Sequence, residues 1–109
     1  MGRVRVARQS YKAYYLKALA HPVRLEILGC LKEGEQAVGD IVSAVGIGQS
    51  NVSRHLAALK NANILTSRQE GANVYYAVTD DRIFRILRLI EAILKSTARE
   101  RFSLFGGNL

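Results

Sequence analysis

Residues 38–61 carry the pattern that most constrains the fold, because they contain two amphipathic segments joined by a glycine-rich turn. The first segment has apolar residues at helical spacing, which are Val38, Ile41, Val42 and Val45. Gly46 follows, where a left-handed residue commonly ends a helix. The second segment, from about Gln49 to Asn61, has an apolar row at i, i+4 and i+7, formed by Val52, Leu56 and Leu59. Two helices joined by so tight a turn predict a helix-turn-helix.

The second helix of this motif has a polar outer face. Successive residues of a helix are rotated by about 100°, so Ser50 and Arg54 lie opposite the apolar row, flanked by Asn51 and Ser53. These side chains are short or basic, and none of them is acidic. Such a face is typical of a helix that enters the major groove of DNA.

The flanking segments predict further helices and a hairpin. Residues 9–33 have helical periodicity in two parts, with Pro22 suited to the first turn of the second helix and Leu25, Leu28 and Leu31 as its apolar row. Residues 64–78 contain two runs rich in β-branched and aromatic residues, separated by a Gly-containing turn. Residues 81–99 predict a last helix with Asp80 as N-cap, and residues 100–109 form a tail.

We therefore predict one winged helix-turn-helix domain over residues 1–109, mainly α, with about five helices and a two-stranded β-hairpin as the wing. The length of 109 residues suits a single domain. The single Cys excludes an internal disulfide framework. The apolar runs are far shorter than the roughly 18–20 residues that cross a bilayer. The N-terminus lacks the apolar core of a secretory signal, so we expect no membrane association and a cytoplasmic location.

The charge of the chain suggests an anionic partner. The formal net charge is +7 and the pI is about 10. Residues 1–24 contain basic side chains and no acidic ones, whereas residues 40–79 are nearly neutral. A basic protein of this kind often binds nucleic acid.

The last helix is apolar over more of its circumference than one core contact requires. Its apolar residues are Ile83, Phe84, Ile86, Leu87, Leu89, Ile90, Ile93 and Leu94. We expect part of this surface to face a second chain, because a helix that packs on a single core needs a narrower stripe.

The chain resembles the ArsR/SmtB family of dimeric winged-helix repressors. The matching stretches are LKALAHPVRLEIL, AVGDIVSAVGIGQSNVSRHLAALKNANIL and SRQEGANVYYAV, which together cover most of residues 16–78. The resemblance implies a homodimer that binds an inverted-repeat operator in double-stranded DNA. It implies DNA contacts by the second helix and the wing, for which the candidates are Gln49, Ser50, Asn51, Ser53, Arg54, His55 and Arg68. It implies that the terminal helices form the dimer through Tyr11, Tyr14, Tyr15, Ile83, Ile86, Leu87, Ile90, Ile93 and Leu94.

The chain departs from the family at the positions that bind metal in other members. Where some members have Cys-Val-Cys, this chain has Ala37, Val38 and Gly39. Where others have ligands on the C-terminal helices, it has Asp80, Arg82, Ile93 and Ser96. Zinc needs about four N, S or O donors, so we expect no metal and no cofactor.

Two alternatives to a DNA-binding repressor stay open. One is a winged-helix module that binds another protein without specific DNA binding. The other is a thiol-based redox or sulfur sensor that uses Cys30, although a buried Cys more often acts as a small hydrophobe. The chain contains no recognisable catalytic set, so an enzyme is not expected. The operator, the effector and the regulated genes do not follow from the sequence.

Overall fold

The computed structural model describes residues 2–104, with the side chains of residues 5–101. Over this range the chain forms five helices and three strands. The helices are α1 (Gly2–Leu19), α2 (Pro22–Cys30), α3 (Val38–Val45), α4 (Gln49–Asn61) and α5 (Arg82–Leu104). The strands are β1 (Gln36–Ala37), β2 (Leu65–Glu70) and β3 (Asn73–Val78). The predicted mainly α winged helix-turn-helix class is confirmed.

The helix-turn-helix is formed by α3 and α4. Gly46 ends α3 in the left-handed conformation, with φ 77°, and its N–H donates to the Val42 carbonyl at 2.9 Å. Gly48, with φ 90°, precedes the first residue of α4. Both conformations favour glycine because a Cβ atom is strained at positive φ. The glycine-rich turn that the sequence predicts therefore determines where α4 begins.

The wing belongs to a sheet of three strands rather than two. β2 and β3 pair antiparallel from Leu65 opposite Val78 to Glu70 opposite Asn73. β1 pairs with the other edge of β3, which gives the order β1-β3-β2. The predicted two-stranded wing missed β1 because a strand of two residues is too short to have an alternating pattern.

The core of the chain is entirely apolar among the described residues and is centred on the helix-turn-helix. The buried row of α4 is the predicted one, since Val52, Leu56 and Leu59 are all 0% exposed. Buried side chains also come from α1, α2, α3, the start of β2 and the residues next to these elements, including Leu19, Ile27, Leu28, Leu31, Ile41, Ile64 and Leu65. Leu25 is exposed, and Ile27 takes the buried position instead. Residues at i, i+3 and i+6 lie at progressively different angles around a helix. Leu25, Leu28 and Leu31 therefore could not all face the core.

The terminal helices are longer than the periodicity predicts. α1 begins at Gly2 rather than near residue 9, because residues 2–8 contain no helix-ending signal. α5 continues to Leu104, so the first half of the predicted tail is helical. The Asp80 carboxylate accepts from the Arg82 N–H at 2.9 Å, as expected for a residue that caps α5. The expectations for residues 1 and 105–109 lie outside the described residues.

The chain divides after Thr79 into two compact units, of which the second contains α5. The first contains the helix-turn-helix and the sheet. The expectation of a single domain stays a prediction. None of the described helices is sufficiently long and apolar to span a membrane.

We expect Leu56→Ala to destabilise the fold strongly. Leu56 is fully buried, so the substitution leaves a cavity and should lower the free energy of unfolding by about 2–5 kcal/mol. Urea denaturation followed by far-ultraviolet circular dichroism, at one protein concentration, measures this change. Ser53→Ala, an exposed substitution on the same helix, should change the value by less than about 0.5 kcal/mol. Equal effects of the two substitutions would contradict this account of the core.

Candidate nucleic-acid interface

The outer face of α4 presents the predicted polar side chains to solvent. The five predicted base-contacting residues of α4 are all exposed, which are Gln49, Ser50, Asn51, Ser53 and Arg54. The first turn of α4 contains no acidic residue. The exposed N–H groups at the start of a helix favour an anion such as phosphate. This end of α4 can therefore accept a DNA backbone while its side chains approach base edges.

Two of these side chains are bonded to each other. Asn51 donates from Nδ2 to the Ile47 carbonyl at 3.1 Å, and its Oδ1 accepts a hydrogen bond from Nη2 of Arg54. Ile47 lies in the turn between α3 and α4. The Arg54 guanidinium is thus connected through Asn51 to the turn of the motif.

His55 lies beside this face and is half-buried rather than exposed. Its Nδ1 accepts from Nε of Arg24 at 3.1 Å, and Arg24 also donates from Nη1 to the Ala18 carbonyl at 3.2 Å. The His21 ring lies 4.3 Å from the His55 ring, centroid to centroid. Arg24 therefore joins the end of α1, α2 and α4. The role of His55 as a DNA contact stays a prediction.

Both histidines use Nδ1 as an acceptor. The Val23 N–H donates to Nδ1 of His21 at 3.1 Å, which caps the start of α2. A backbone N–H and a guanidinium can only donate, so each Nδ1 must be unprotonated. Burial lowers the pKa of His55, and the neighbouring His21, Arg24 and Arg54 lower it further. The neutral form of His55 is the one that holds Arg24.

Arg68 on the wing is paired with two carboxylates. Its guanidinium donates two hydrogen bonds to Glu35, at 2.7 and 2.6 Å, and one to Glu70 at 2.6 Å. It also lies over the Tyr75 ring, 4.6 Å from the centroid. These carboxylates raise the pKa of Arg68, and Arg68 lowers that of Glu35. The predicted phosphate contact by Arg68 stays a prediction, and any such contact must compete with Glu35 and Glu70.

A second polar link joins the wing to α4. Lys60, at the end of α4, donates from Nζ to Oγ of Ser67 on β2 at 2.7 Å. The helix and the strand also meet in the core, where Leu59 and Leu65 are both buried. The wing is thereby held next to the end of the helix.

At the positions where some members of the family that the chain resembles bind metal, the side chains do not fit a metal. Asp80 accepts hydrogen bonds from the Arg82 side chain, at distances down to 2.6 Å, and Arg82 lowers the pKa of Asp80 to about 2. A cation would have to displace this guanidinium. Ala37, Val38 and Gly39 offer no side-chain donor. Within residues described by the structure, no three His, Cys, Asp or Glu side chains converge as a metal site requires.

Cys30 lies at the end of α2 and is partly buried. Burial raises the pKa of its thiol, and the negative charge of Glu26 raises it further. The thiolate is the reactive form of cysteine, so this environment disfavours redox sensing. The thiol-sensor role of Cys30 stays a prediction, without support from its surroundings.

The predicted dimer residues of α5 are mostly exposed. Ile86, Ile90, Ile93 and Leu94 are between 42% and 63% exposed, and Leu87 is half-buried. Ile83 differs, because it is only 2% exposed in the single chain and has almost no surface left for a partner. The exposed side chains form an apolar surface on α5 that is unusual for a helix facing only water.

The predicted dimer residues of α1 line a groove. Tyr11 and Tyr14 are exposed and Tyr15 is half-buried. Together with Ser10 and residues 61–63 they surround a groove of about 460 Å³. The groove combines aromatic rings with the amides of Asn61 and Asn63, and it is open to solvent.

Three residues of this region were not predicted from the sequence to belong to the site. They are His21, Arg24 and Glu35. His21 precedes α2 and His55 lies on α4, yet the fold brings their rings together. Arg24 and Glu35 likewise gain their partners through contacts more than 30 residues apart in the chain. Local periodicity contains no signal for such pairs.

Comparison with known proteins identifies relatives among bacterial regulators. The family model described as "Bacterial regulatory protein, arsR family" matches residues 21–67. The nodulation protein NolR of Rhizobium meliloti is 37% identical over 81 residues, which are 74% of this chain and 66% of that protein. An uncharacterized HTH-type transcriptional regulator of Mycobacterium tuberculosis is 32% identical over 94 residues, covering 85% and 82%. A biofilm growth-associated repressor of Agrobacterium fabrum is 34% identical over 86 residues, covering 79% and 74%.

Solved structures have the same fold. The homodimeric winged helix-turn-helix DNA-binding domain of a possible ArsR-family transcriptional regulator from Mycobacterium bovis superposes with a TM-score of 0.77 at 31% identity. The superposition covers 88% of this chain and 89% of that one. The transcriptional repressor BigR from Xylella fastidiosa gives a TM-score of 0.71 at 30% identity, covering 85% and 95%.

We expect the stability of the protein to fall between pH 7 and pH 5. Because the pKa of His55 is lowered in the folded state, the unfolded state binds more protons as the pH falls through about 6.5. The stabilising contribution of neutral His55 is therefore complete above that pH and is lost below it. Urea denaturation at several pH values, at fixed protein concentration, measures the slope of the free energy of unfolding against pH.

His55→Gln is the matched control for this pH dependence. Glutamine offers Arg24 an acceptor oxygen but does not titrate, so the slope between pH 7 and pH 5 should be smaller in the variant. Identical slopes in the two proteins would contradict the assigned role of His55.

Proposed function

The chain belongs to the arsR family of bacterial regulatory proteins, and from this premise we propose that it is a homodimeric transcriptional repressor. In this proposal it binds an inverted-repeat operator in double-stranded DNA. The observation that carries the proposal is the outer face of α4, where five polar or basic side chains are exposed opposite a fully buried apolar row. Arg pairs well with guanine, and Gln with adenine, in the major groove.

The proposed dimer rests on the exposed apolar side chains of the terminal helices. We propose that these contact a second copy of the chain, with Ile86, Ile90 and Ile93 on α5 and the tyrosines of α1 taking part. A twofold axis would repeat α4 at a fixed spacing, which matches the two halves of an inverted repeat. The related domain from Mycobacterium bovis, which is homodimeric, supports this arrangement.

We extend the proposal to enzymatic activity, to location in the cell and to the two alternative functions. A repressor acts by occupying DNA, so we propose no enzymatic activity, and a cytoplasmic location follows from access to the bacterial chromosome. A protein-interaction module without DNA binding is less well supported, because it would not need the polar α4 face. A thiol sensor is less well supported because the environment of Cys30 disfavours the thiolate.

We expect Arg54→Ala to weaken specific DNA binding while leaving the protein folded. Loss of one bidentate contact should cost about 1–3 kcal/mol and relax the preference at one position of the operator. Fluorescence anisotropy with DNA selected from a random pool, and with a scrambled version, measures both effects. Arg99→Ala, which removes an equal exposed charge from α5, should leave the preference unchanged. Equal sequence preference in wild type and Arg54→Ala would reject the proposed site.

We also expect Glu35→Gln to strengthen DNA binding. The substitution removes one of the two carboxylates on Arg68, so that Arg68 can approach phosphate at a lower cost. The association constant for DNA should fall more steeply as the salt concentration rises. The increase in slope should correspond to at most about one additional counterion, because only one further phosphate contact is formed. Glu33→Gln removes the same charge from an exposed position two residues earlier. If both variants gained affinity equally, net charge would be the cause and Arg68 would have no special part.

A further inference from the structure

Asn51 uses both polar atoms of its side chain within the protein. Nδ2 donates to the Ile47 carbonyl at 3.1 Å, and Oδ1 accepts from Arg54. A carbonyl oxygen can only accept and a guanidinium can only donate, so the orientation of the amide is determined by its partners. Rotating the amide by 180° would place two acceptors together at Ile47 and two donors together at Arg54.

This arrangement differs from that of an asparagine that contacts a base. An asparagine recognises adenine with its oxygen and its amide nitrogen at the same time. Asn51 would have to share or release its bonds to both Ile47 and Arg54 to do so. Asn51 is therefore better placed to hold Arg54 than to bind adenine.

The bond gives Arg54 a fixed starting conformation. Arginine has many rotamers, and ordering them on binding costs conformational entropy. A partner that orders the side chain beforehand reduces this cost and improves affinity through preorganisation. Because Ile47 lies in the turn before α4, Asn51 anchors the guanidinium to a backbone atom rather than to another mobile side chain.

The partner of Arg54 is also electrically neutral. Arg68 on the wing is held by two carboxylates, which compete with phosphate for its charge. An amide oxygen orients Arg54 without neutralising it and without repelling DNA. Arg54 thus combines a defined orientation with a full positive charge.

We propose that Asn51 is a positioning residue that orients Arg54 for base recognition and does not itself recognise a base. The inference rests on the proposed function, since it needs α4 to enter the major groove. In this inference Asn51 orients Arg54, whereas the neighbouring side chains of the polar face contact DNA directly. It predicts that the effects of Asn51 and Arg54 on sequence preference coincide.

The test compares the base preferences of four forms of the full chain. They are the wild type, Asn51→Ala, Arg54→Ala and the double variant, with Arg99→Ala as the control for an exposed substitution outside the polar face of α4. Each is titrated against the DNA site selected by the wild type and against every single-base change of that site. Circular dichroism of each variant checks that the helix content and thermal transition are unchanged.

The expected result is that Asn51→Ala loses discrimination at the same base pairs as Arg54→Ala. Arg54→Ala should lose about 5- to 150-fold in discrimination there, which corresponds to one bidentate contact. Asn51→Ala should lose a part of that factor, and the double variant should lose no more than Arg54→Ala alone. Asn51→Asp keeps an acceptor for Arg54 but cannot donate to the Ile47 carbonyl, so it should recover only part of the preference that Asn51→Ala loses, while its charge lowers overall affinity.

Several outcomes would overturn the inference, and they are distinguishable from failure of the proposed function. If Asn51→Ala changed the preference at a base pair that Arg54→Ala leaves intact, Asn51 would recognise its own base. If Asn51→Ala had no effect on the preference, Arg54 would not depend on the Asn51 side chain. If Arg54→Ala itself left the preference unchanged, the proposed function of α4 would fail, and this inference would fail with it.

Discussion

Burial of the apolar row of α4 is the interaction on which the rest of the structure depends. Val52, Leu56 and Leu59 are completely removed from solvent. Because helical periodicity couples the two faces, burying this row forces Ser50 and Arg54 outward. The same row packs in the core with the start of the wing. The core therefore determines which side chains α4 can present to a partner.

The basic side chains around α4 have three different electrostatic environments. Arg54 is bonded to a neutral amide, Arg68 to two carboxylates, and Arg24 to the imidazole of His55. These environments suit different tasks. A neutral partner leaves the charge available for DNA, paired carboxylates restrain it, and the half-buried imidazole of His55 uses it to hold helices together. A count of basic residues alone would not distinguish these roles.

The sequence was most informative where structure depends on local chemistry. The buried row of α4 and the left-handed Gly46 follow from periodicity and from the conformational freedom of glycine. The same reasoning predicted the exposed polar face of α4. It missed β1, which is too short to have a pattern. It also missed the contact between His21 and His55, because long-range packing leaves no trace in local spacing.

The most direct test of the account is a nuclear magnetic resonance titration of ¹⁵N-labelled protein with its selected DNA and with scrambled DNA. We expect the selected DNA to change the backbone amide chemical shifts of residues 49–54 most strongly. Smaller changes are expected near Arg68, and scrambled DNA should perturb residues 49–54 less. Perturbations concentrated on α5, or equal for the two DNAs, would contradict the claim that the outer face of α4 recognises DNA sequence.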